Sequence, residues 1–159
     1  MKVNKKKSSL LNHSLSLGKK TEYNLSHPDS KTLQAVGNPH PDLDYVIRFT
    51  SVEFTSICPI TSQPDFAHII IDYIANKKII ESKSLKLYLF SYRNHGAFHE
   101  DCTIQIAKDI INTIQPKWLR ISGFWFPRGG IPIDIFYQTS KPPADVFIND
   151  TPKYQYQAR

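Results

Sequence analysis

A thiol and a carboxyl group bracket one short segment of the sequence. Cys58 directly precedes Pro59, and Asp65 directly follows Pro64 seven residues later. A proline fixes its own φ and holds the preceding residue in an extended backbone. Cysteine is the best nucleophile at neutral pH, and a nearby acid can protonate whatever the sulfur attacks. The pair is compatible with covalent catalysis, although a loop thiol beside a turn aspartate explains the spacing alone equally simply.

Two lysines lie at the predicted start of a helix. Lys83 and Lys86 are three residues apart, so they project from neighbouring positions on the helix surface. Ser82 or Ser84 is expected to cap the helix, and the free N–H groups there can help to hold a phosphate. The alternative is a capped, solvated surface helix with ordinary lysines.

An acidic residue at a second helix start could recognise a base. Glu100, beside His99, could accept two N–H bonds from the edge of a guanine-like ring. The alternative is an acid that interacts with the helix dipole. No metal site is expected, because His68, His95 and His99 form neither an i, i+4 pair nor part of a Cys/His quartet.

The patterns of apolar residues predict the elements that must position these side chains. Alternation predicts strands, and apolar residues at spacings of three and four predict two helices between them. We expect strands over residues 44–54, 66–75, 118–126 and 131–139, and helices from residue 84 to a stop at Gly96 and over 99–115. Residues 56–65 are expected to form a loop, and Gly96 to adopt a left-handed conformation. The order ββααββ predicts an α+β fold, an antiparallel sheet with both helices on one face.

Composition indicates one folded domain with charged extensions. The chain has 159 residues, 40% of them hydrophobic, and its net charge of +6 comes from six lysines within residues 1–20. We expect a basic tail and linker over 1–40, a catalytic domain over 41–140 and an extension over 141–159. No apolar run of 18 residues and no secretory signal is present, so a cytoplasmic location is expected. Without stacking aromatics in the tail, direct nucleic-acid binding is not expected.

Five motifs occur together in one order. The sequence closely resembles the short, single-module form of the 7-cyano-7-deazaguanine reductases, the nitrile reductases of queuosine biosynthesis. The resemblance covers roughly residues 40–140. It is carried by the segments Glu53-Phe54-Thr55-Ser56-Ile57-Cys58-Pro59, Gln63-Pro64-Asp65-Phe66, Glu81-Ser82-Lys83-Ser84-Leu85-Lys86-Leu87-Tyr88, Arg93-Asn94-His95-Gly96 with Phe98-His99-Glu100-Asp101-Cys102, and Pro127-Arg128-Gly129-Gly130.

The resemblance implies a tunnel fold, in which subunits close into a barrel, stack as two pentameric rings and form their sites between neighbours. It implies a 7-deazapurine nitrile as substrate and NADPH as reductant. Cys58 is then the nucleophile that forms a thioimide, and Asp65 the proton donor. The remaining roles implied are substrate binding by Ile80, Glu81, Ser82, His99 and Glu100, and cofactor binding by Lys83, Ser84, Lys86 and Arg128.

One departure and two alternatives accompany this interpretation. Ser62 stands where the family usually has glycine, so a positive φ there would strain the loop modestly. A cyclohydrolase-like tunnel-fold enzyme is one alternative, although it would need a zinc set that the cysteines and histidines do not obviously supply. A non-catalytic purine- or RNA-binding module that uses the lysine tail is the other.

Overall fold

A computed structural model describes residues 27–149; residues 1–26 of the predicted tail and linker and residues 150–159 of the predicted C-terminal extension lie outside this range. Two helices lie between pairs of long strands, as the apolar patterns predict. The elements are β1 Ala35–Gly37, β2 Val46–Ile57, β3 Pro64–Ile74, β4 Lys78–Ile80, α1 Ser82–Ser91, α2 His99–Ile114, β5 Trp118–Arg128 and β6 Ile131–Gln138.

The four long strands form one antiparallel sheet in the order β2-β3-β5-β6. The predicted α+β class and the two hairpins are therefore confirmed. Within residues 27–149, no further strand pairs with the outer edge of β2 or β6, and the single contact there is a bridge from Ile57 at the end of β2 to Gly96. Unpaired edges of this length are sites where a sheet can be extended by another chain.

A second, two-stranded sheet pairs β1 with β4 and was not predicted. Each strand has three residues, too few to show a period-two pattern. The pairing, together with the buried side chain of Leu33, places residues 33–37 of the predicted tail and linker against the domain.

The main core lies between the sheet and the helices. On β3, alternate residues face the helices: Ala67, Ile69, Ile71 and Tyr73 are each at most 1% exposed. The facing side of α2 carries apolar residues at a spacing of four, namely Cys102, Ile106, Ile110 and Ile114. Full burial of an isoleucine side chain contributes roughly 1.5–3 kcal/mol. This stripe therefore fixes α2 against the sheet.

A buried ion cluster lies on the other face of the sheet. Asp72 is 1% exposed, and its carboxylate accepts hydrogen bonds from Arg48 at 2.6 and 3.0 Å and from Arg120 at 2.9 and 3.2 Å. Both arginines also donate to the main-chain carbonyl of Asn149. The cluster thus joins three strands to the chain segment that follows β6.

The connection between the helices is tied to the end of β2. The main chain of Ile57 donates to His95 O at 2.9 Å and accepts from Ala97 N at 3.1 Å. Gly96, between them, bridges to Ile57 and lies against Pro59, where an added Cβ would be 3.6 Å from Pro59 Cα. The expectation of a left-handed Gly96 is wrong, because only Ser62, Gln115, Gly129 and Gly130 have positive φ among the described residues. This bridge brings the first turn of α2 beside Cys58.

Candidate active site

A tight loop between β2 and β3 presents Cys58. Its ends are joined by hydrogen bonds from Cys58 N to Gln63 O at 2.8 Å and from Ser62 N to Cys58 O at 3.0 Å. Ser62 has a φ of 57°, so the condition under which serine would strain the loop is met, at roughly 1 kcal/mol for a residue other than glycine. The loop spans only residues 58–63, because the strands extend further into the predicted loop 56–65 than alternation alone indicated. Asp65 consequently lies within β3.

The Cys58 sulfur is held in its ionised form. Its side chain is 7% exposed, and the main-chain N–H of Thr61 donates to Sγ at 3.4 Å. Hydrogen bonds from the Thr61 and Arg128 side chains, in that order of importance, lower the pKa of the thiol from 9.0 to about 6. At neutral pH most Cys58 is therefore thiolate, the nucleophilic form.

Asp65 lies between two nitrogen-bearing side chains. It is 5% exposed, and its Oδ2 lies 3.2 Å from His99 Nε2. Its Oδ1 forms an ion pair with Arg128 Nε. The structure therefore brings together four of the predicted site residues, namely Cys58, Asp65, His99 and Arg128.

The imidazole of His99 is fixed by contacts that the sequence did not reveal. Its ring stacks on Trp125 with centroids 4.1 Å apart and an interplanar angle of 12°. Trp125 Nε1 donates to Thr103 Oγ1 at 3.1 Å, and that hydroxyl donates to His99 O at 2.8 Å. Trp125 on β5 and Thr103 on α2 therefore hold His99 toward Asp65.

Gly123 makes room for this arrangement, and its replacement is a direct test. A Cβ added at Gly123 would lie 2.7 Å from Thr103 Oγ1 and 3.1 Å from Trp125 Nε1. We expect Gly123→Ala to lower the free energy of unfolding by about 1–3 kcal/mol, because the buried Thr103–Trp125 pair must shift. Urea denaturation measures this change. Gly96→Ala is the matched control, since its Cβ would meet only ordinary contacts; equal losses in both variants would contradict the assignment.

The second cysteine differs chemically from the first. Cys102 is 1% exposed, and burial is the main cause that raises the pKa of its thiol to about 12, although the nearby Ser56 hydroxyl opposes this rise. Ser56 is fully buried and pairs with Asp65 across the sheet. Only one of the two thiols is therefore prepared for nucleophilic attack.

Three predicted substrate-binding residues lie far from Cys58 within the chain. The main-chain N–H of Ile80 donates to Tyr73 Oη at 3.1 Å. Tyr73 is eight residues beyond Asp65 on β3, which is about 26 Å at roughly 3.3 Å per residue. Ile80, and with it Glu81 and Ser82, therefore lies at the opposite end of the sheet.

Glu81 caps α1, which corrects the expectation of a serine cap. Its carboxylate accepts from Lys83 N at 2.9 Å and from Ser84 N at 2.7 Å. A carboxylate at this position also interacts favourably with the helix dipole. Ser84 is completely buried, with its hydroxyl donating to Glu81 O and accepting from Gln34 N. The hydrogen bonds of this buried hydroxyl therefore help to fix the first turn of α1.

A cavity of about 300 Å³ lies between β2 and α1. Its polar lining includes Ser82, Lys86 and Arg93 beside an apolar wall that contains Phe54 and Leu85. Of the predicted cofactor-binding residues, Lys86 is exposed and Lys83 is half-buried on the same helix. Arg93 was not predicted as a site residue; in the structure it lines the same cavity as Lys86. Glu100 is exposed in the first turn of α2, next to buried His99.

Comparisons with known proteins identify the family. The family described as "QueF-like protein" matches residues 64–144. The NADPH-dependent 7-cyano-7-deazaguanine reductase of Parvibaculum lavamentivorans is 61% identical over 132 residues, which cover 83% of this chain and 86% of that protein. The chain belongs to the 7-cyano-7-deazaguanine reductase family. The reductase of the same name from Rhizobium etli is 57% identical over 143 residues, 90% of this chain and 92% of that protein.

The fold of this family member is also found among solved structures. The apo crystal structure of the archaeosine synthase QueF-Like matches with a TM-score of 0.57, covering 62% of this chain and 96% of that one. At 17% identity this likeness concerns the fold. In residues 27–149, no helix is long and apolar enough to cross a membrane. The same residues contain no group of three or more His, Cys, Asp or Glu side chains arranged to hold a metal ion.

Proposed function

We propose that the protein reduces the nitrile of 7-cyano-7-deazaguanine to a primary amine, with NADPH as the reductant. The observation that carries this proposal is a thiol with its pKa lowered to about 6, beside Asp65 and His99, in a chain 61% identical to a reductase with that name. A nitrile carbon is a weak electrophile, so its attack requires a strong nucleophile with a nearby proton donor.

In the first step, the Cys58 sulfur adds to the nitrile carbon, and the nitrogen takes a proton. The S–C bond forms as one π bond of the nitrile breaks, which leaves a covalent thioimide. Asp65 is proposed to deliver the proton. Since its carboxylate pairs with Arg128, it must first take up that proton, and His99 Nε2, 3.2 Å from Asp65 Oδ2, is the proposed source.

Bound NADPH supplies the hydride for both reductions, of the thioimide and then of the imine. The residues of the chain have two tasks in these steps. The sulfur leaves the carbon as a thiolate, and the Thr61 and Arg128 contacts that lower its pKa also make it a better leaving group. The pocket must also keep water from the imine, which would otherwise hydrolyse to an aldehyde.

We propose that the cavity along α1 holds the phosphate-bearing part of NADPH. Lys86 and Arg93 line it with two positive charges, against one carboxylate from Glu53. Lys83 lies on the same helix. We therefore assign Lys83, Lys86 and Arg93 to the cofactor, with the buried Ser84 hydroxyl holding the first turn of α1 in place.

The substrate site is proposed to form between protomers. Glu100 would bind the guanine-like edge, with His99 beside it, whereas Ile80, Glu81 and Ser82 would come from a neighbour. A single protomer separates these two groups by about 26 Å along β3, which exceeds the length of a 7-deazaguanine. The free edges of β2 and β6 allow neighbouring sheets to join into a barrel, and the family pattern suggests a decamer of two stacked pentameric rings.

A single assay tests the reaction. Purified protein is mixed with the nitrile base and NADPH, and the loss of NADPH absorbance is followed together with amine formation by mass spectrometry. We expect nitrile-dependent oxidation of two NADPH per amine. No oxidation, while an authentic reductase works in parallel, would refute the proposal; retained base binding without oxidation would indicate a binding module instead.

A further inference from the structure

We propose that Arg128 is a catalytic residue that holds the Cys58 sulfur as a thiolate, rather than a ligand of the cofactor phosphates. This role rests on the proposed nucleophilic function of Cys58. Arg128 is the last residue of β5, and the turn that follows has only two residues, Gly129 and Gly130, with φ of 57° and 81°. Positive φ at both positions is the geometry of the tightest hairpin turns. The turn therefore fixes the backbone geometry at Arg128, the last residue of β5.

The guanidinium group of Arg128 has three partners around the Cys58 loop. Its Nε pairs with Asp65 Oδ1, and its Nη2 donates to Gln63 O at 3.4 Å. Gln63 O also accepts from Cys58 N at 2.8 Å, so Arg128 and the Cys58 main chain converge on one carbonyl oxygen. The third partner is the Cys58 thiol on the same loop, since a hydrogen bond from the Arg128 side chain is among the causes that lower the pKa of this thiol. The planar fork of five N–H donors allows one arginine to serve all three acceptors.

This arrangement suits the Cys58 thiolate, an anion that is present before and after the reaction. The thiol loses its proton to solvent, and the positive charge of Arg128 balances the thiolate. When sulfur bonds to the nitrile carbon its negative charge is lost, and it returns when sulfur leaves. Arg128 therefore favours the free thiolate at both ends of the cycle. An arginine that already pairs with Asp65 and Gln63 is also less available to a distant phosphate.

The test measures the ionisation of Cys58 without nitrile or NADPH. The rate of alkylation by iodoacetamide is followed against pH, and peptide mapping assigns the modified cysteine. We expect a midpoint near 6 in the natural protein. In Arg128→Gln the midpoint should rise by about one pH unit, since an adjacent opposite charge has been removed while the larger contribution of Thr61 remains. Lys108→Gln, which removes an exposed charge from α2, is the matched control and should leave the midpoint unchanged.

A second variant and a kinetic measurement separate the possible outcomes. Arg128→Lys keeps the charge but loses the fork, so its midpoint should lie between those of the natural protein and Arg128→Gln. An unchanged midpoint in both folded variants, or in the lysine variant if the glutamine variant does not fold, overturns the proposal. A raised KM for NADPH with an unchanged midpoint also overturns it, in favour of phosphate binding. Failure of nitrile reduction alone would refute the proposed function and leave this titration interpretable.

Discussion

Replacement of Cys58 by alanine is expected to reduce nitrile-dependent NADPH oxidation by at least about a thousandfold, because no other group can form the covalent intermediate. The buried second thiol cannot substitute for it, since its pKa is raised to about 12. NADPH oxidation under saturating nitrile measures the loss. Cys102→Ala is the matched control and should remain active. Substantial activity in the Cys58 variant would exclude covalent catalysis by this residue.

The same variant can reveal whether sites are shared between protomers. It is mixed, after dissociation and reassembly, with Ser82→Ala/Lys83→Ala, which is altered at the opposite end of the sheet. In a random equal mixture, about a quarter of sites between neighbours would combine an intact Cys58 with an intact Ser82–Lys83 pair. We expect about that fraction of natural activity to return. No recovery in mixed assemblies would place both groups in one protomer's site.

Replacement of Asp72 by asparagine is expected to give the largest loss of stability. The substitution removes the negative charge that two arginines share at a position only 1% exposed. Breaking a buried ion pair from one side typically destabilises by 3–5 kcal/mol. We expect about 3 kcal/mol here, at the lower end, because the side chains of Arg48 and Arg120 retain 27% and 20% exposure.

Urea denaturation of Asp72→Asn tests this value, and another aspartate supplies the control. Asp44 pairs with Lys117 at the surface, where both side chains are at least 36% exposed. Asp44→Asn should therefore change the free energy of unfolding by less than about 1 kcal/mol. If both variants lost the same amount, the sheet cluster would contribute no more than an ordinary surface pair.

Local patterns in the sequence predicted much of the fold. Alternation identified the long strands because one of their faces packs against the helices, and the fourfold spacing of apolar residues identified α2. The motif around Ser62, which usually contains glycine, indicated a position where a positive φ would matter, and the structure has one there. Such features depend on neighbours in the chain, so the sequence alone can reveal them.

Contacts between distant segments could not be predicted in this way. Asp65 meets Arg128 only because the β3–β5 register and the hairpin after β5 bring them together. The stack of His99 on Trp125 likewise depends on where α2 crosses the sheet. Glu81 was expected at the substrate, and the structure adds that both of its oxygens cap α1. The sequence pattern favoured a serine cap because it does not locate the first residue of the helix.

The placement of Cys58 and Ile80 at opposite ends of β3 has a consequence for how activity depends on dilution. If the site is completed by a neighbour, as proposed, it exists only in the assembled species, and mass action then governs the number of active sites. Specific activity should then fall as protein concentration drops below the dissociation constant of the assembly, although each chain stays folded. Comparisons of variants are therefore meaningful only at matched protein concentration.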